Sequence, residues 1–282
     1  MKFNIIKSYA KINLSLGVTK RLKSGYHTIE SLVSFINLHD EVKIKKINSK
    51  NHKIRFIGKF SEGIKDNNTV SKLLKILDEK KLLKNQKYFI KIKKNIPQKS
   101  GLGGGSMNAS AIMRFFISKK ILNFSKKNLI KLSKQIGHDV QLGLDNKNKV
   151  LYANGNLETS LRKIRLFVVI AKPNFGCSTQ TIYEGIKKYS KKRLTKGNKD
   201  YFSLINIIKL QNDLEKVVFK NYPKLKNVKL FMQNLPNVCF VRMTGSGSSI
   251  VGYFLLKNEA INAVKLFKKK YKNHWCITSK TI

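Results

Sequence analysis

Residues 97–108 read Pro-Gln-Lys-Ser-Gly-Leu-Gly-Gly-Gly-Ser-Met-Asn, with four glycines among the five residues Gly101–Gly105. The segment follows a predicted strand, Tyr88–Lys93, and leads into a predicted helix in which apolar residues recur at helical spacing. Glycines let several backbone N–H groups converge on one ligand, and the positive end of the helix faces the same point. We therefore predict a phosphate-binding loop at Gly101–Ser106. A flexible turn is the plainer alternative.

Three better-known glycine loops do not fit this segment. The lysine of G-x-x-x-x-G-K-[ST] is missing, and no H-R-D or D-F-G of protein kinases follows. A dinucleotide fold needs a third glycine at the position of Ser106 and an acidic residue about 20 positions later, and the sequence has neither. The loop therefore indicates phosphate binding of another type.

The composition is that of a globular chain of 282 residues, 41% hydrophobic, long enough for two modest domains or one large one. The N-terminus turns polar too early for a secretory signal, and the longest uncharged apolar stretch, around Ser249–Leu256, is too short to span a bilayer. Cys177, Cys239 and Cys276 lack ligand-like spacing. We expect a cytoplasmic protein with neither a disulfide framework nor a zinc site.

The net charge of +43 suggests a polyanionic partner such as nucleic acid. Only seven of the 58 basic residues are arginine, however, and the lysines are spread through every segment. Arginine supplies the fork that reads phosphate and guanine, so a dedicated nucleic-acid reader would use more of it. Codon bias of an AT-rich genome explains the composition better. Binding to a specific nucleic acid or to a membrane is not expected.

Alternating strand and helix patterns along the chain predict a mixed α+β protein. A domain boundary near residue 160 follows from the order of elements, which gives domains 1–160 and 161–282. Predicted strands occupy Lys2–Thr19, Ile29–Leu38, Glu41–Ile47, His52–Ile57, Tyr88–Lys93, one from Leu166 onward, and a pair around Ser246; predicted helices occupy Val70–Leu83, a run after the glycine loop, Lys126–Ile136 and one near Thr179–Lys188.

Several polar segments lie outside the predicted core. Lys11 and Asn13 share the polar face of the first strand, Gly25-Tyr26-His27 forms a short loop, and Thr244–Ser249 is a second glycine turn rich in hydroxyl groups. Taken singly, each has a structural explanation, as does Asp139 just after a helix end.

Taken in chain order, these segments resemble the GHMP kinase superfamily. The segments are Ala10-Lys11-Ile12-Asn13-Leu14, Gly25-Tyr26-His27, Gly101–Ser106, Gly137-His138-Asp139-Val140 and Thr244-Gly245-Ser246-Gly247-Ser248, and Asn212-Asp213-Leu214-Glu215 fits as well. The resemblance implies a two-domain GHMP kinase fold, with a ribosomal S5 domain 2-like N-terminal domain that binds ATP and a ferredoxin-like C-terminal domain. It is strongest to the branch that phosphorylates cytidine diphosphate-methylerythritol on its 2-hydroxyl, in the non-mevalonate route to isoprenoid precursors.

The resemblance also implies roles for individual residues, with ATP as phosphate donor and Mg²⁺ carried on its phosphates. Lys11 and Asp139 match the catalytic pair. The ATP-binding positions are Pro97, Gly101, Gly103, Gly104, Gly105, Ser106 and Asn68, and the substrate-binding positions are Asn13, Tyr26, His27, Thr179, Tyr183, Gly245 and Ser246. No certain metal ligand is implied, and the protein is expected to be a monomer or a homodimer.

The chain departs from the family pattern at Met107, His138 and Gln141, and at Lys99 and Ser100 before the first glycine. We expect activity to persist despite these changes. Two alternatives stay open: another GHMP kinase of the homoserine or mevalonate type, and a basic nucleic-acid-binding protein.

Overall fold

The computed structural model describes residues 2–197 and 200–282, which divide into two compact units. Unit 1 comprises Met1–Lys11, Leu38–Gln98 and Gly103–Asn146, and unit 2 comprises Ile12–Asn37, Lys99–Leu102 and Lys147–Ile282. The two units interleave along the chain. They are a different division from the predicted domains 1–160 and 161–282, which stay a prediction.

The described residues contain both strands and helices, as the sequence predicts. The strands are β1 Asn4–Asn13, β2 Gly17–Arg21, β3 His27–Ile47, β4 Lys53–Ile57, β5 Lys87–Lys93, β6 Lys149–Leu151, β7 Leu157–Thr159, β8 Phe167–Lys172, β9 Phe240–Met243, β10 Ile250–Phe254 and β11 Trp275–Lys280. The helices are α1 Thr69–Glu79, α2 Gly104–Ser118, α3 Lys126–Ile136, α4 Thr179–Glu184, α5 Leu204–Lys209, α6 Leu214–Asn221, α7 Pro223–Gln233 and α8 Lys257–Lys270, and a 3₁₀ helix spans Val140–Leu144. Along the described residues these elements come partly in runs, with β1–β4 and α4–α7 each consecutive.

In unit 1, helices cover one face of a small sheet. The second half of β3 pairs antiparallel with β5, from Glu41 opposite Lys93 to Ile47 opposite Lys87, and β4 runs parallel to β5. Alternate strand residues such as Ile44 and Ile90 are fully buried in a core that they share with α1, α2 and α3. This packing fixes the position of α2 against the sheet.

In unit 2, the first half of β3 pairs antiparallel with β2 and with β6. A four-stranded antiparallel sheet has the order β11-β8-β10-β9, and its core includes residues of α6, α7 and α8. The strand pair predicted around Ser246 is confirmed, with Ile250 opposite Met243. The turn between these two strands therefore has both ends fixed by a buried sheet.

Two predicted strand boundaries were wrong. The predicted strand Lys2–Thr19 is interrupted, since β1 ends at Asn13 and β2 begins at Gly17. The predicted strands Ile29–Leu38 and Glu41–Ile47 form one strand, β3. An aspartate normally disfavours a strand interior, but the buried Asp40 carboxylate accepts hydrogen bonds from the N–H groups of Asn95 and Ile96, at 2.7 and 2.9 Å.

Two predicted helices are shorter than expected. The helix predicted over Val70–Leu83 ends at Glu79, and Lys81 has a positive φ of 53° that no helix interior accepts. The helix predicted near Thr179–Lys188 ends at Glu184, directly before Gly185. The helix predicted over Lys126–Ile136 is confirmed, with Gly137 at its C-terminal end. Within the described part of the chain, none of the helices is both long and apolar enough to cross a bilayer.

Candidate active site

The N-terminus of α2 forms an open cradle of backbone amides in unit 1. Gly103 precedes the helix with a left-handed φ of 71°, and no side chain caps this end. The first intrahelical bond runs from the Met107 N–H to the Gly103 carbonyl oxygen, at 2.9 Å. The N–H groups of Gly104, Gly105 and Ser106 therefore have no acceptor within the helix. Together with the helix dipole, they favour an anion at this point.

Lys11 lies across the same glycine turn. A Cβ atom on Gly103 would be only 2.9 Å from the Lys11 Cγ, so the turn needs a glycine both for its φ and for the close approach of this side chain. The Lys11 Nζ is 3.4 Å from Oδ2 of Asp139, and the two side chains are 5% and 41% exposed. The lysine is thus buried, while the carboxylate keeps access to solvent.

Contacts from α2 hold the segment that carries Asp139. The Ser110 hydroxyl donates to the carbonyl oxygen of Val140 at 2.6 Å. Arg114 donates to the carbonyl oxygen of Gly143 and, at 2.7 Å, to Oδ1 of Asn146. Burial lowers the pKa of Arg114. The ordinary pKa of a guanidinium is so high that the group keeps its charge at neutral pH. The same helix therefore presents the amide cradle and anchors Asp139.

Helix α1 adds a hydroxyl group and a cap beside the cradle. The Thr69 hydroxyl donates to the Gly105 carbonyl oxygen at 2.8 Å. Asn68 is the N-cap of α1, and its side-chain oxygen accepts from the N–H groups of Val70 and Ser71 at 3.0 and 3.1 Å. Asn68 therefore has an evident structural task, in addition to the nucleotide contact predicted for it.

In unit 2, two glycine segments meet backbone to backbone. The Ser248 N–H donates to the Lys99 carbonyl oxygen at 3.3 Å, and the Thr244 hydroxyl donates to the Gly101 carbonyl oxygen at 3.3 Å. A Cβ atom on Gly101 would lie 2.0 Å from the Thr244 carbonyl oxygen, and φ at Gly101 is 73°. Only glycine fits there.

Polar side chains hold the turn at residues 244–249 through hydrogen bonds. The Asn13 backbone N–H donates to the Thr244 hydroxyl at 3.0 Å, and the Asn13 side-chain amide donates to the Ser31 hydroxyl at 2.8 Å. Asn212 donates to the carbonyl oxygens of Met243 and Gly245, both at 2.8 Å. The Asn212-Asp213-Leu214-Glu215 motif therefore begins with a residue that shapes this turn.

Two further groups of predicted residues lie together in unit 2. The hydroxyls of Thr179 and Ser246 are 2.8 Å apart. The ring of His27 lies 5.3 Å from the ring of Tyr183, with the planes tilted by 35°, and the Tyr26 side chain is 65% exposed. Burial, and secondarily the charge of Arg21, lower the pKa of His27 from its ordinary value. The neutral imidazole therefore predominates at pH 7, and this form can both donate and accept.

A relative that matches nearly the whole chain identifies the family. The 4-diphosphocytidyl-2-C-methyl-D-erythritol kinase of Pelagibacter ubique (strain HTCC1062) is 51% identical over 277 residues, which cover 98% of each chain. The chain belongs to the 4-diphosphocytidyl-2-C-methyl-D-erythritol kinase family of GHMP kinases. Residues 68–151 also match the family described as GHMP kinases N terminal domain, and GHMP kinases use ATP as phosphate donor.

Solved structures show that the fold is the GHMP kinase fold. A crystal structure of 4-(cytidine 5'-diphospho)-2C-methyl-D-erythritol kinase aligns with a TM-score of 0.80 and 22% identity, covering 98% of this chain and 99% of the other. Homoserine kinase from Cytophaga hutchinsonii ATCC 33406 aligns with a TM-score of 0.65 and 16% identity, covering 100% and 97%. The predicted two-domain α+β GHMP kinase fold is thereby confirmed, and it is common to kinases of different substrates.

For this GHMP kinase, the structure sorts the predicted residues into two groups. Unit 1 contains the ATP-binding and catalytic candidates Lys11, Asn68, Pro97, Gly103, Gly104, Gly105, Ser106 and Asp139. Unit 2 contains Gly101 and the substrate-binding candidates Asn13, Tyr26, His27, Thr179, Tyr183, Gly245 and Ser246. The two groups adjoin along the chain, because one residue separates Lys11 from Asn13 and one separates Gly101 from Gly103.

The sequence reasoning missed three residues beside these groups. Thr69 contacts the glycine loop, Arg114 supports the Asp139 segment, and Tyr189 has its ring 6.1 Å from that of His27. The polar start of α1 was a usable signal for Thr69. An arginine within the apolar run of the helix after the loop was a signal for Arg114, and nothing local pointed to Tyr189.

Proposed function

We propose that the chain transfers the γ-phosphoryl group of ATP to the 2-hydroxyl of 4-diphosphocytidyl-2-C-methyl-D-erythritol, in the non-mevalonate route to isoprenoid precursors. The observation that carries the proposal is the Lys11–Asp139 pair, 3.4 Å apart, with the lysine lying over the first glycine of the α2 cradle. The acceptor oxygen bonds to the γ-phosphorus, the bond from that phosphorus to the β,γ-bridging oxygen breaks, and ADP leaves.

Asp139 would take the proton of the attacking hydroxyl. An alcohol is a weak nucleophile at neutral pH, and a carboxylate within reach speeds the reaction by about 10²–10⁴-fold as general base. Lys11 would offset the charge that develops on the phosphoryl oxygens. The exposure of Asp139, against the burial of Lys11, leaves the carboxylate open to a substrate hydroxyl.

The amide cradle would bind the phosphates of ATP. Phosphoryl transfer depends mainly on alignment and on neutralising charge, and Gly103, Gly104, Gly105 and Ser106 supply amides at one helix end. We assign Gly101, Pro97 and Asn68 supporting nucleotide contacts. These positions are predictions from the family pattern.

Mg²⁺ would be carried mainly on the phosphates of ATP. No cluster of three or more His, Cys, Asp or Glu side chains suited to a metal occurs within residues 2–197 and 200–282. Mg²⁺ usually keeps several waters and uses one or two protein oxygens beside substrate phosphates, and Asp139 and Ser106 offer a carboxylate and a hydroxyl in unit 1. The ion would neutralise charge on the β- and γ-phosphates.

The candidates of unit 2 would bind the acceptor. Tyr26 and Tyr183 offer rings for stacking on cytosine, and neutral His27 can hydrogen-bond the edge of the base. We assign Asn13, Thr179, Gly245 and Ser246 to the methylerythritol diphosphate portion, since they offer an amide, hydroxyls and backbone groups at one turn.

The fold alone does not select this substrate, because homoserine kinase has the same fold. An aromatic pocket with a neutral histidine suits a cytosine ring better than a small acid such as homoserine or mevalonate. ADP release should therefore be measured with each of the three acceptors. We expect turnover with the cytidine substrate at least 100-fold above the others; equal or greater turnover with homoserine or mevalonate would refute the assignment.

The location, the oligomeric state and the partners of the enzyme are also proposals. We propose a cytoplasmic enzyme, monomeric or homodimeric, that acts on small molecules without a specific nucleic-acid partner. DNA retention that disappears at moderate salt would be ordinary lysine attraction, whereas a tight, salt-resistant complex would contradict this view.

A further inference from the structure

A segment of unit 2 that the sequence analysis left unassigned is tied to the strands beside His27. This strap, residues 189–194, is fixed at two places. The Ser190 N–H donates to the Val18 carbonyl oxygen at 2.8 Å. The N–H groups of Arg193 and Leu194 donate to the two carboxylate oxygens of Glu30, at 2.9 and 3.3 Å. The strap therefore has a defined position on β2 and β3.

Glu30 is a buried carboxylate whose evident task is to accept these two bonds. Burying a carboxylate is costly unless hydrogen bonds compensate it, and Glu30 lies on β3 three residues after His27. Its neighbour on β2 is Gly17, where a Cβ atom would meet the Glu30 Cγ at 3.0 Å. The glycine leaves room for Glu30 to reach the strap, so the anchor depends on both strands.

The strap places a second tyrosine ring at His27. The Tyr189 ring is 6.1 Å from the His27 ring and tilted by 37°, and the Tyr183 ring is 5.3 Å away on the same imidazole. Tyr189 keeps 43% of its surface exposed even though the backbone beside it is anchored. A half-exposed ring beside a histidine, on a backbone held by hydrogen bonds, is a surface on which a planar base can stack.

We propose that Tyr189 is a specificity-determining residue that contacts the base of the acceptor, and that Glu30 is a positioning residue that acts through the strap to place it. The inference rests on the proposed function and extends it, because the predicted pocket of Tyr26, His27 and Tyr183 does not include the strap. Its ligand class is a cytidine diphosphate ester.

The first test compares Tyr189→Ala and Tyr189→Phe in the full chain. We expect the alanine variant to raise KM for the cytidine substrate about tenfold, within the range for loss of one base–ring stack, with kcat and KM for ATP changed less than twofold. The phenylalanine variant keeps the ring and should stay within about threefold of the parent. Leu161→Ala, at a side chain 80% exposed elsewhere in unit 2, is the matched surface control.

The second test separates positioning from general support of the fold. Glu30→Gln keeps the shape of the side chain but offers one acceptor oxygen where two N–H groups need one each. We expect it to raise KM for the cytidine substrate about threefold to fivefold in the parent and less than 1.5-fold in Tyr189→Ala, because coupled residues are not additive. If Glu30→Gln does not fold, Gly17→Ala, which presses on Glu30, takes its place.

The outcomes separate this inference from the proposed function. A parent enzyme that does not turn over the cytidine substrate refutes the function itself. A parent that turns it over, with a KM in Tyr189→Ala within twofold of the parent value, overturns the role of Tyr189. If Glu30→Gln raises KM for the cytidine substrate by the same factor in the parent and in Tyr189→Ala, the positioning role is overturned. If the variants raise KM for ATP as much as KM for the cytidine substrate, the damage is general and both roles are overturned.

Discussion

Gly143→Ala tests whether the packing of α2 against the 3₁₀ helix positions the carboxylate of Asp139. A Cβ atom at position 143 would lie 2.8 Å from Sδ of Met107 and 2.8 Å from both Cβ and Oγ of Ser110. Such distances are well inside normal contact, so the two elements must move apart. Overpacking of this kind costs about 1–3 kcal/mol, which lowers Tm by about 2–5 °C in a chain of this size.

The displaced segment contains the Gly143 carbonyl oxygen that Arg114 binds, and it begins directly after Asp139. A shift of about 1 Å in a catalytic group can cost about 10²-fold in rate. We therefore expect kcat to fall by about 10–100-fold in Gly143→Ala, while Kd for ATP changes less than threefold because α2 keeps its cradle.

The assay is single-turnover phosphoryl transfer together with equilibrium binding of ATP and thermal unfolding. Gly137→Ala is the matched stability control, because a Cβ there meets nothing nearer than 3.5 Å, and its Tm should stay within about 1–2 °C of the parent. Should Gly143→Ala keep both its Tm and its kcat, the packing argument is wrong. Loss of ATP affinity in step with kcat would place the damage in the cradle instead.

Three further results are expected. Asp40→Asn leaves the buried Lys94 ammonium without its charged partner, so the free energy of unfolding should fall by about 3–5 kcal/mol in denaturant titrations; a loss below about 1 kcal/mol would contradict that reasoning. Gly101→Ala drives a methyl group onto the Thr244 carbonyl oxygen, so we expect a lower Tm and a weaker acceptor affinity, and an unchanged Tm would show that the turn is not fixed there. Because the pKa of His27 lies below its ordinary value of 6.5, less than half of the imidazole is protonated at pH 6.5, so KM for the cytidine substrate should rise less than twofold from pH 8 to 6.5 and more steeply at lower pH; a twofold rise already between pH 8 and 7 would assign the effect to another group.

The sequence was sufficient where chemistry is concentrated in short segments. Four glycines that run into a helix predicted the cradle of α2, and the Lys11 and Asp139 segments matched a family pattern that the structure brings within 3.4 Å. The helix over Lys126–Ile136 was predictable because Ser125 caps its start and Gly137 follows its end.

The sequence was insufficient where a residue acts through a distant partner. Asp40 lies between the two predicted strands Ile29–Leu38 and Glu41–Ile47, but its contacts with Lys94, Asn95 and Ile96 make it an internal residue of β3. Tyr189 lies in a polar, lysine-rich stretch, and only the hydrogen bonds that anchor the strap bring its ring to His27. Propensity and periodicity report local preference, and tertiary hydrogen bonds override it at these positions.

The most direct measurement is the rate of phosphoryl transfer in Asp139→Asn, with ATP binding measured on the same protein. The account predicts that kcat falls at least about 100-fold while Kd for ATP stays within threefold. The asparagine side chain cannot accept the proton, but the substitution leaves the backbone N–H groups of α2 in place. Asp200→Asn, at an exposed carboxylate of unit 2 that pairs with Arg162, is the control and should keep its rate. A kcat within threefold of the parent in Asp139→Asn would remove this carboxylate from the chemistry.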